Sequence, residues 1–370
     1  MQINSSRLVD NFLKLVQIDS APRAEAKMAE EILRQLQRLG VAAYMDNAGA
    51  AVGGNAGNVI AKIAGRADKP TIMFSAHMDR VEPGLKIKPV IRDGVIYSDG
   101  STILAADDVA GIAAIIEAMH VLKETQAEHG PLEFVFTIVE EGGLHGAKNV
   151  DYSQLKAGFG YALDSSGPVG SAIIQGPAQD KIEAVIFGKA AHAGVNPEDG
   201  INAIVAASRG VAAMKTGRVD HETTANIGTI KGGTATNIVT DKVEILAEAR
   251  SLQNDKLERQ SQHMRECLEQ AATAMGARAE VKVARMYSAF RLEESLPVIA
   301  LFKRACRQVN LSGELIPSGG GSDANIFNAN GIPTANIGIG YKKVHTTEEN
   351  IAIRDLEAVA RLTLALVTNA

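Results

Sequence analysis

Several nearly unbroken apolar runs, separated by stretches of helical periodicity, limit what this chain can become more than any other property it has. They are Thr71 to Val81 (TIMFSAHMDRV), Leu132 to Val139 (LEFVFTIV), Gly158 to Leu163 and Thr334 to Ile339. Strands this apolar are covered on both faces, which is the situation of a mostly parallel sheet with helices packed on it. Each run also ends in the same kind of polar group. His77 and Asp79 close the first, Glu140 and Glu141 follow the second, Asp164 follows the third, and His345 follows the fourth after a short loop. Residues two apart on a strand point the same way, so His77 and Asp79 face one rim. Open α/β sheets collect their ligand sites beyond the carboxyl ends of their strands.

Composition narrows the class of protein. At 370 residues the chain exceeds one ordinary core and is expected to form two or three lobes. A net charge of −5, with no basic stretch interleaved with aromatics, argues against a nucleic-acid partner. The two cysteines, Cys267 and Cys306, are too few for a disulfide framework and suit a reducing compartment. The amino-terminal MQINSSRLVD carries no apolar signal core, and no window approaches a membrane span, so a cytoplasmic protein is expected.

Along the chain, Ser5 or Ser6 can cap a first helix, and a second runs from about Ala24 to Leu39 and stops at Gly40. The glycine-rich AGAAVGGNAGN reads as a hairpin or flexible loop, because it lacks the Gly-Lys-Ser/Thr ending of a phosphate loop. Val90 to Tyr97 reads as one strand. Helical spacing from Val109 to Leu122 predicts a helix with Asp107 and Asp108 at its amino end, where acids also complement the helix dipole. From Gly176 the order changes to strand, helix, strand, strand, helix, strand, the split ferredoxin-like pattern. That gives a discontinuous α/β domain over 1–176 and 289–370, and an inserted α+β domain over 177–288.

Five metal-ligand candidates therefore occupy comparable places: His77, Asp107, Glu141, Asp164 and His345. Carboxylates gathered at one rim repel unless cations lie between them. Two imidazoles and three carboxylates suit borderline divalent ions, zinc first, with cobalt or manganese as alternatives. A bridging carboxylate can hold two such ions about 3.5 to 4 Å apart.

In order and spacing, His77-x-Asp79, Ala106-Asp107-Asp108, Glu140-Glu141-Gly142, Asp164 and His345 resemble the co-catalytic di-zinc exopeptidases of the aminoacylase, carboxypeptidase G and peptidase T group, and the peptidase T-like branch most. The resemblance implies a zinc-exopeptidase-like catalytic domain with an inserted ferredoxin-like lid that also dimerises. It implies that His77 and Asp164 hold one ion, Glu141 and His345 the other, and Asp107 bridges them beside a cis peptide bond. Asp79 would orient His77, and Glu140 would be the general base of amide hydrolysis. His192, in KAAHAGVNP, matches the lid histidine that stabilises the oxyanion, or else is a surface-loop histidine. Asn237 and Arg250 match substrate-binding positions, although Arg250 also reads as an end-of-strand charge. Gly320 and Gly321, in GGGSD, offer backbone donors at a helix start or form a tight turn. One position departs from the peptidase T pattern: Gly319 stands where an arginine is expected to grip a tripeptide carboxylate. The expected activity is exopeptidase cleavage of small peptides. Deacylation of N-acyl amino acids is the alternative within the same chemistry, and a non-catalytic metal- or ligand-binding relative is the alternative outside it.

Overall fold

A computed structural model describes residues 2–369. The chain forms two compact units, the first made of residues up to Ile174, Arg291–Pro317 and the residues from Ser322 onward, the second of Gln175–Phe290 with Ser318–Gly321. The glycine-rich segment Ser318–Gly321 thus clusters with the middle of the chain, whereas the expected division kept it with the outer segments.

In the first unit, strands Leu132–Thr137, Ile72–His77, Phe159–Ser165 and Thr334–Gly338 lie side by side and run parallel. Every residue of Ile72–His77, Leu132–Thr137 and Thr334–Gly338 is buried, as their unbroken apolarity requires. Antiparallel strands flank this centre, Val59–Ile63 and Ala42–Met45 on one side and Ser171–Gly176 on the other. Because the central strands are parallel, their carboxyl ends share one rim. Helix Ala106–Thr125 packs on strands Ile72–His77 and Phe159–Ser165 and against helices Ser5–Val16 and Ile353–Thr368. Val109, Ile112, Ile115, Ile116 and Met119 are all 2% exposed or less, so the core surrounds most of this helix up to Leu122.

Three local expectations change. The first helix is capped by Asn4, whose side chain accepts from Arg7 N at 3.1 Å, one residue before the expected serines. The glycine-rich stretch contains a short helix, Ala48–Val52, ended by Gly53 in the left-handed region. The stretch from Val90 to Tyr97 is two short strands, Val90–Arg92 and Val95–Tyr97, folded on themselves at Asp93-Gly94 and joined by Asn350–Ala352. Both Asp93 (φ +50°) and Gly94 (φ +74°) take positive φ, the requirement of a tight hairpin.

The second unit has an antiparallel sheet in the order Gly217–Arg218, Thr223–Gly232, Lys242–Ser251, Ala178–Phe187, Arg278–Tyr287. Apart from the two-residue strand, this is the ferredoxin-like arrangement. Strand Ala178–Phe187 alternates strictly: Ala178, Asp180, Ile182, Ala184 and Ile186 are buried, and the residues between them are not. Its buried side shares a core with Ala203, Ala206 and Ala207 of helix Ala203–Ala213 and with Leu257, Met264 and Leu268 of helix Asn254–Ala274. Among the described residues, no helix is long and apolar enough to cross a membrane.

Candidate metal centre

Asp107 stands at the middle of the rim. Its Oδ1 lies 3.1 Å from His77 Nε2, and its Oδ2 lies 3.3 Å from His345 Nε2. Each imidazole has a second acid beside it. Asp164 Oδ1 is 3.8 Å from His77 Nε2, and Glu141 Oε1 is 2.8 Å from His345 Nε2. The donor atoms of His77, Asp107 and Asp164 all lie within 4.8 Å of one another, and so do those of Asp107, Glu141 and His345. Two three-residue donor groups therefore share one carboxylate.

The backbone explains how side chains so distant in sequence converge. Asp107 (φ −81°, ψ 103°) and Asp108 (φ −121°, ψ 31°) are not helical, so Asp107 leaves the axis of helix Ala106–Thr125 and reaches the rim. The peptide bond between them is cis. Asp108 serves the backbone instead, accepting from His77 N at 3.1 Å and Gly111 N at 3.2 Å. Ala105 (φ +59°), Val139 (φ +49°) and His345 (φ +61°) take left-handed conformations that side chains disfavour. Such conformations persist only where the surroundings impose them, and they concentrate at functional sites.

Asp79 meets His77 Nδ1 with its backbone carbonyl at 3.0 Å and with its carboxylate at 3.5 Å. The carboxylate oxygens also accept from Glu140 N at 2.9 Å and Glu141 N at 3.1 Å. Asp79 thus fixes the turn that carries both glutamates.

Charge is unbalanced within this cluster. Burial pushes the Asp164 and Glu140 carboxyls well above the usual range, and Asp107 next to Asp164, and Asp164 next to Glu140, push them further. Burial opposes ionisation of Asp107 too, but the His345 and His77 imidazoles hold its carboxyl below the usual range. The Asp107 and Glu141 carboxylates in turn raise His345 to about 10. Acids pushed up by burial and by one another thus stand beside imidazoles pushed up by nearby acids, an arrangement that a cation would relieve. The oxygen and imidazole donors match a divalent ion of the zinc, cobalt or manganese kind, so the residues present fit such a group.

Residues 73–369 match the model of peptidase family M20/M25/M40. The chain belongs to that family. It is an enzyme, a metallo-exopeptidase by membership. Over 368 residues, covering 100% of this chain and 99% of the relative, it is 48% identical to the uncharacterized protein YqjE of Bacillus subtilis (strain 168). A solved structure of an aminopeptidase PepT from Bacillus cereus ATCC 10987 is 47% identical, with a TM-score of 0.91 and 99% of each chain covered. A tripeptidase structure from Staphylococcus aureus is 41% identical, with a TM-score of 0.96, covering 100% of this chain and 99% of that one.

Three further residues of this peptidase line or brace the rim. Tyr341, 2% exposed, donates its hydroxyl to Asp107 Oδ1 at 3.2 Å and to Asp164 Oδ1 at 3.3 Å. Asp323 is buried and accepts from Thr137 Oγ1 at 2.5 Å, and burial raises its carboxyl to about 6. Glu349 accepts from three backbone amides of the Asp107 loop. Asp323 stands within the GGGSD stretch, whereas nothing in the sequence marks Tyr341 or Glu349.

The other expected site residues lie in the second unit of the peptidase. His192 is exposed and bridged to Ile238, and Ala193 N donates to the Asn237 carbonyl at 2.9 Å, so His192 and Asn237 neighbour each other. Arg250 holds both oxygens of Glu248 with one edge of its guanidinium, Nε at 3.0 Å and Nη2 at 3.1 Å. Gly320 exchanges hydrogen bonds with Ser318 Oγ. A Cβ on Gly321 would meet the Tyr287 ring at 2.2 Å, which demands glycine there irrespective of any ligand. The helix that follows, Asp323–Ala329, already has its first donors satisfied by a capping box between Ser322 and Asn325.

Proposed function

We propose that the chain is a two-metal exopeptidase acting on short peptides. His77 and Asp164 would hold one divalent ion, Glu141 and His345 the other, with Asp107 shared between them. The observation that carries this is the division of the Asp107 carboxylate, one oxygen toward each imidazole. Zinc is the first choice by donor type, with cobalt or manganese as alternatives. Bound ions supply Lewis acidity, which acidifies the attacking water and polarises the scissile carbonyl.

The protein's own residues do the rest. Glu140, 8% exposed and raised by burial and by Asp164, is suited to take a proton from water and return it to the leaving amine. Asp79 holds Glu140 and Glu141 in place through their amides. The second unit is read as a lid and dimerisation domain. His192 would donate to the oxyanion, and Asn237 and Arg250 would bind the substrate's carbonyl or terminal carboxylate, Arg250 by exchanging Glu248 for it. Gly320 and Gly321 would offer backbone donors to the substrate. Ile204, Val205 and Ile230, exposed at 39%, 39% and 49%, are apolar groups that pairing of two copies would cover. The unpaired Cys267 and Cys306 agree with a cytoplasmic location.

Short-peptide cleavage is favoured over N-acyl amino acid deacylation by the aminopeptidase and tripeptidase names of the similar structures. A screen of di- and tripeptides beside N-acyl amino acids, with metal-loaded protein, separates the two. Glu140→Ala is expected to keep two ions per chain and lose turnover by at least about 100-fold, the scale of one general base. Unchanged turnover would remove Glu140 from the mechanism, and absence of bound metal in the wild type would remove the mechanism itself.

A further inference from the structure

Glu349 reaches across the rim from the segment that carries His345. Its side chain is buried, with the residue 1% exposed. Oε2 accepts from Leu104 N at 3.0 Å and Ala105 N at 2.9 Å, and Oε1 accepts from Asp107 N at 3.0 Å. One carboxylate thus receives three backbone donors from a loop more than 240 residues earlier in the chain. That loop does not hold its shape unaided, since Ala105 takes a φ of +59°. Glu349's own segment is anchored, because Glu349 N donates to Thr346 O at 3.1 Å and Asn350–Ala352 pairs with Val95–Tyr97.

We propose that Glu349 is a positioning residue, a clamp that sets the separation of Asp107 and His345 and so determines how tightly the ion between them is held. This rests on the two-metal reading. Glu349 belongs to neither donor group around Asp107, and both of its oxygens accept from backbone amides. Its effect on metal passes through the backbone of Asp107. Glutamine at this position keeps the size but has one acceptor oxygen, and its NH2 would face a backbone N–H. A buried donor left unsatisfied is costly, so the loop should loosen.

The test compares wild type with Glu349→Gln in two measurements. Hydrogen exchange on metal-free protein reads the clamp directly. The amides of Leu104, Ala105 and Asp107 are expected to be protected in wild type and to exchange at least about 10-fold faster in the variant, with strand Ile72–His77 unchanged. Calorimetric titration with Zn2+ or Mn2+ reads the consequence. One of the two ions is expected to bind about 10- to 100-fold more weakly, the usual effect of losing a group that orients a ligand. Correspondingly, kcat should recover as metal concentration is raised, with KM for peptide unchanged.

Fast exchange of these three amides in wild type overturns the clamp even if the variant fails to fold. Equal exchange and equal affinity in the two proteins overturn it as well. If wild type binds no metal, the two-metal reading fails and takes the affinity effect with it, while the exchange measurement still decides whether Glu349 holds the loop.

Discussion

At the scale of single residues, the rim is a problem in charge placement, and Tyr341 shows how finely it is set. Its hydroxyl touches Asp107 and Asp164, one acid shared by both donor groups and one belonging to a single group. Removing it has two opposed effects. The acids become more basic, which favours metal, but they lose the contact that orients them, and orientation usually dominates. Tyr341→Phe is therefore expected to weaken metal binding by about 10-fold in a calorimetric titration while the fold stays intact; an unchanged or tighter affinity would show that basicity wins. His77, Glu141 and Asp164 stood out because they close apolar runs, His345 because it follows one, and Asp107 because it opens a helix; parallel strands bring the ends of such runs to one rim. Tyr341 and Glu349 did not. Their partners lie more than 170 residues away, and nothing in a local pattern marks a tyrosine that will meet two aspartates. Arg250 shows the opposite limit, since its residue type suggested a carboxylate but not that Glu248 already occupies it.

At the scale of elements, helix Ala106–Thr125 ties the rim to the core, and Gly111 is where the two meet. A Cβ there would lie 2.4 Å from Asp108 Oδ1 and 2.5 Å from the Leu163 carbonyl oxygen. Alanine favours a helix interior over glycine by about 1 kcal/mol, whereas overpacking against backbone costs about 1–3 kcal/mol. The clash should win. Gly111→Ala is expected to lower stability by about 1–2 kcal/mol in urea unfolding and to weaken metal binding, because Leu163 immediately precedes Asp164. A stabilised variant would mean that the strand yields without cost. The long elements were readable from periodicity, the second unit most easily, since strict alternation along Ala178–Phe187 and helical spacing in its two helices point to the same layered core. Helix Ala48–Val52 was hidden because flanking glycines outweigh five small residues in any local reading. The split of Val90–Tyr97 was hidden because a two-residue turn interrupts its apolar pattern only briefly.

At the scale of the molecule, all five proposed metal ligands belong to the first unit, so metal should act as a stabiliser of that unit. A ligand present at about 1,000 times its Kd adds about 4 kcal/mol, which corresponds to a rise in Tm on the order of 10 °C for a unit of this size. Chelation is expected to remove that increment and stop peptide hydrolysis together, and Zn2+, Co2+ or Mn2+ to restore both. Hydrolysis that survives complete removal of metal would overturn the proposed chemistry. The two-unit plan was legible from the change in element order near Gly176. The membership of Ser318–Gly321 was not, because it depends on a close approach to Tyr287 that only the folded chain creates.

The placement of strand Thr334–Gly338 beside Phe159–Ser165 also orders events on the ribosome. The nascent chain completes the whole of Gln175–Phe290 before that strand emerges, so the smaller unit has everything but a four-residue segment while the larger sheet still lacks an inner strand. Until then, Phe159–Ser165 presents unpaired backbone groups along one side, the kind of open edge on which growing chains aggregate. Synthesis of this enzyme thus passes through a half-built stage in which the rim still lacks the segment that carries His345.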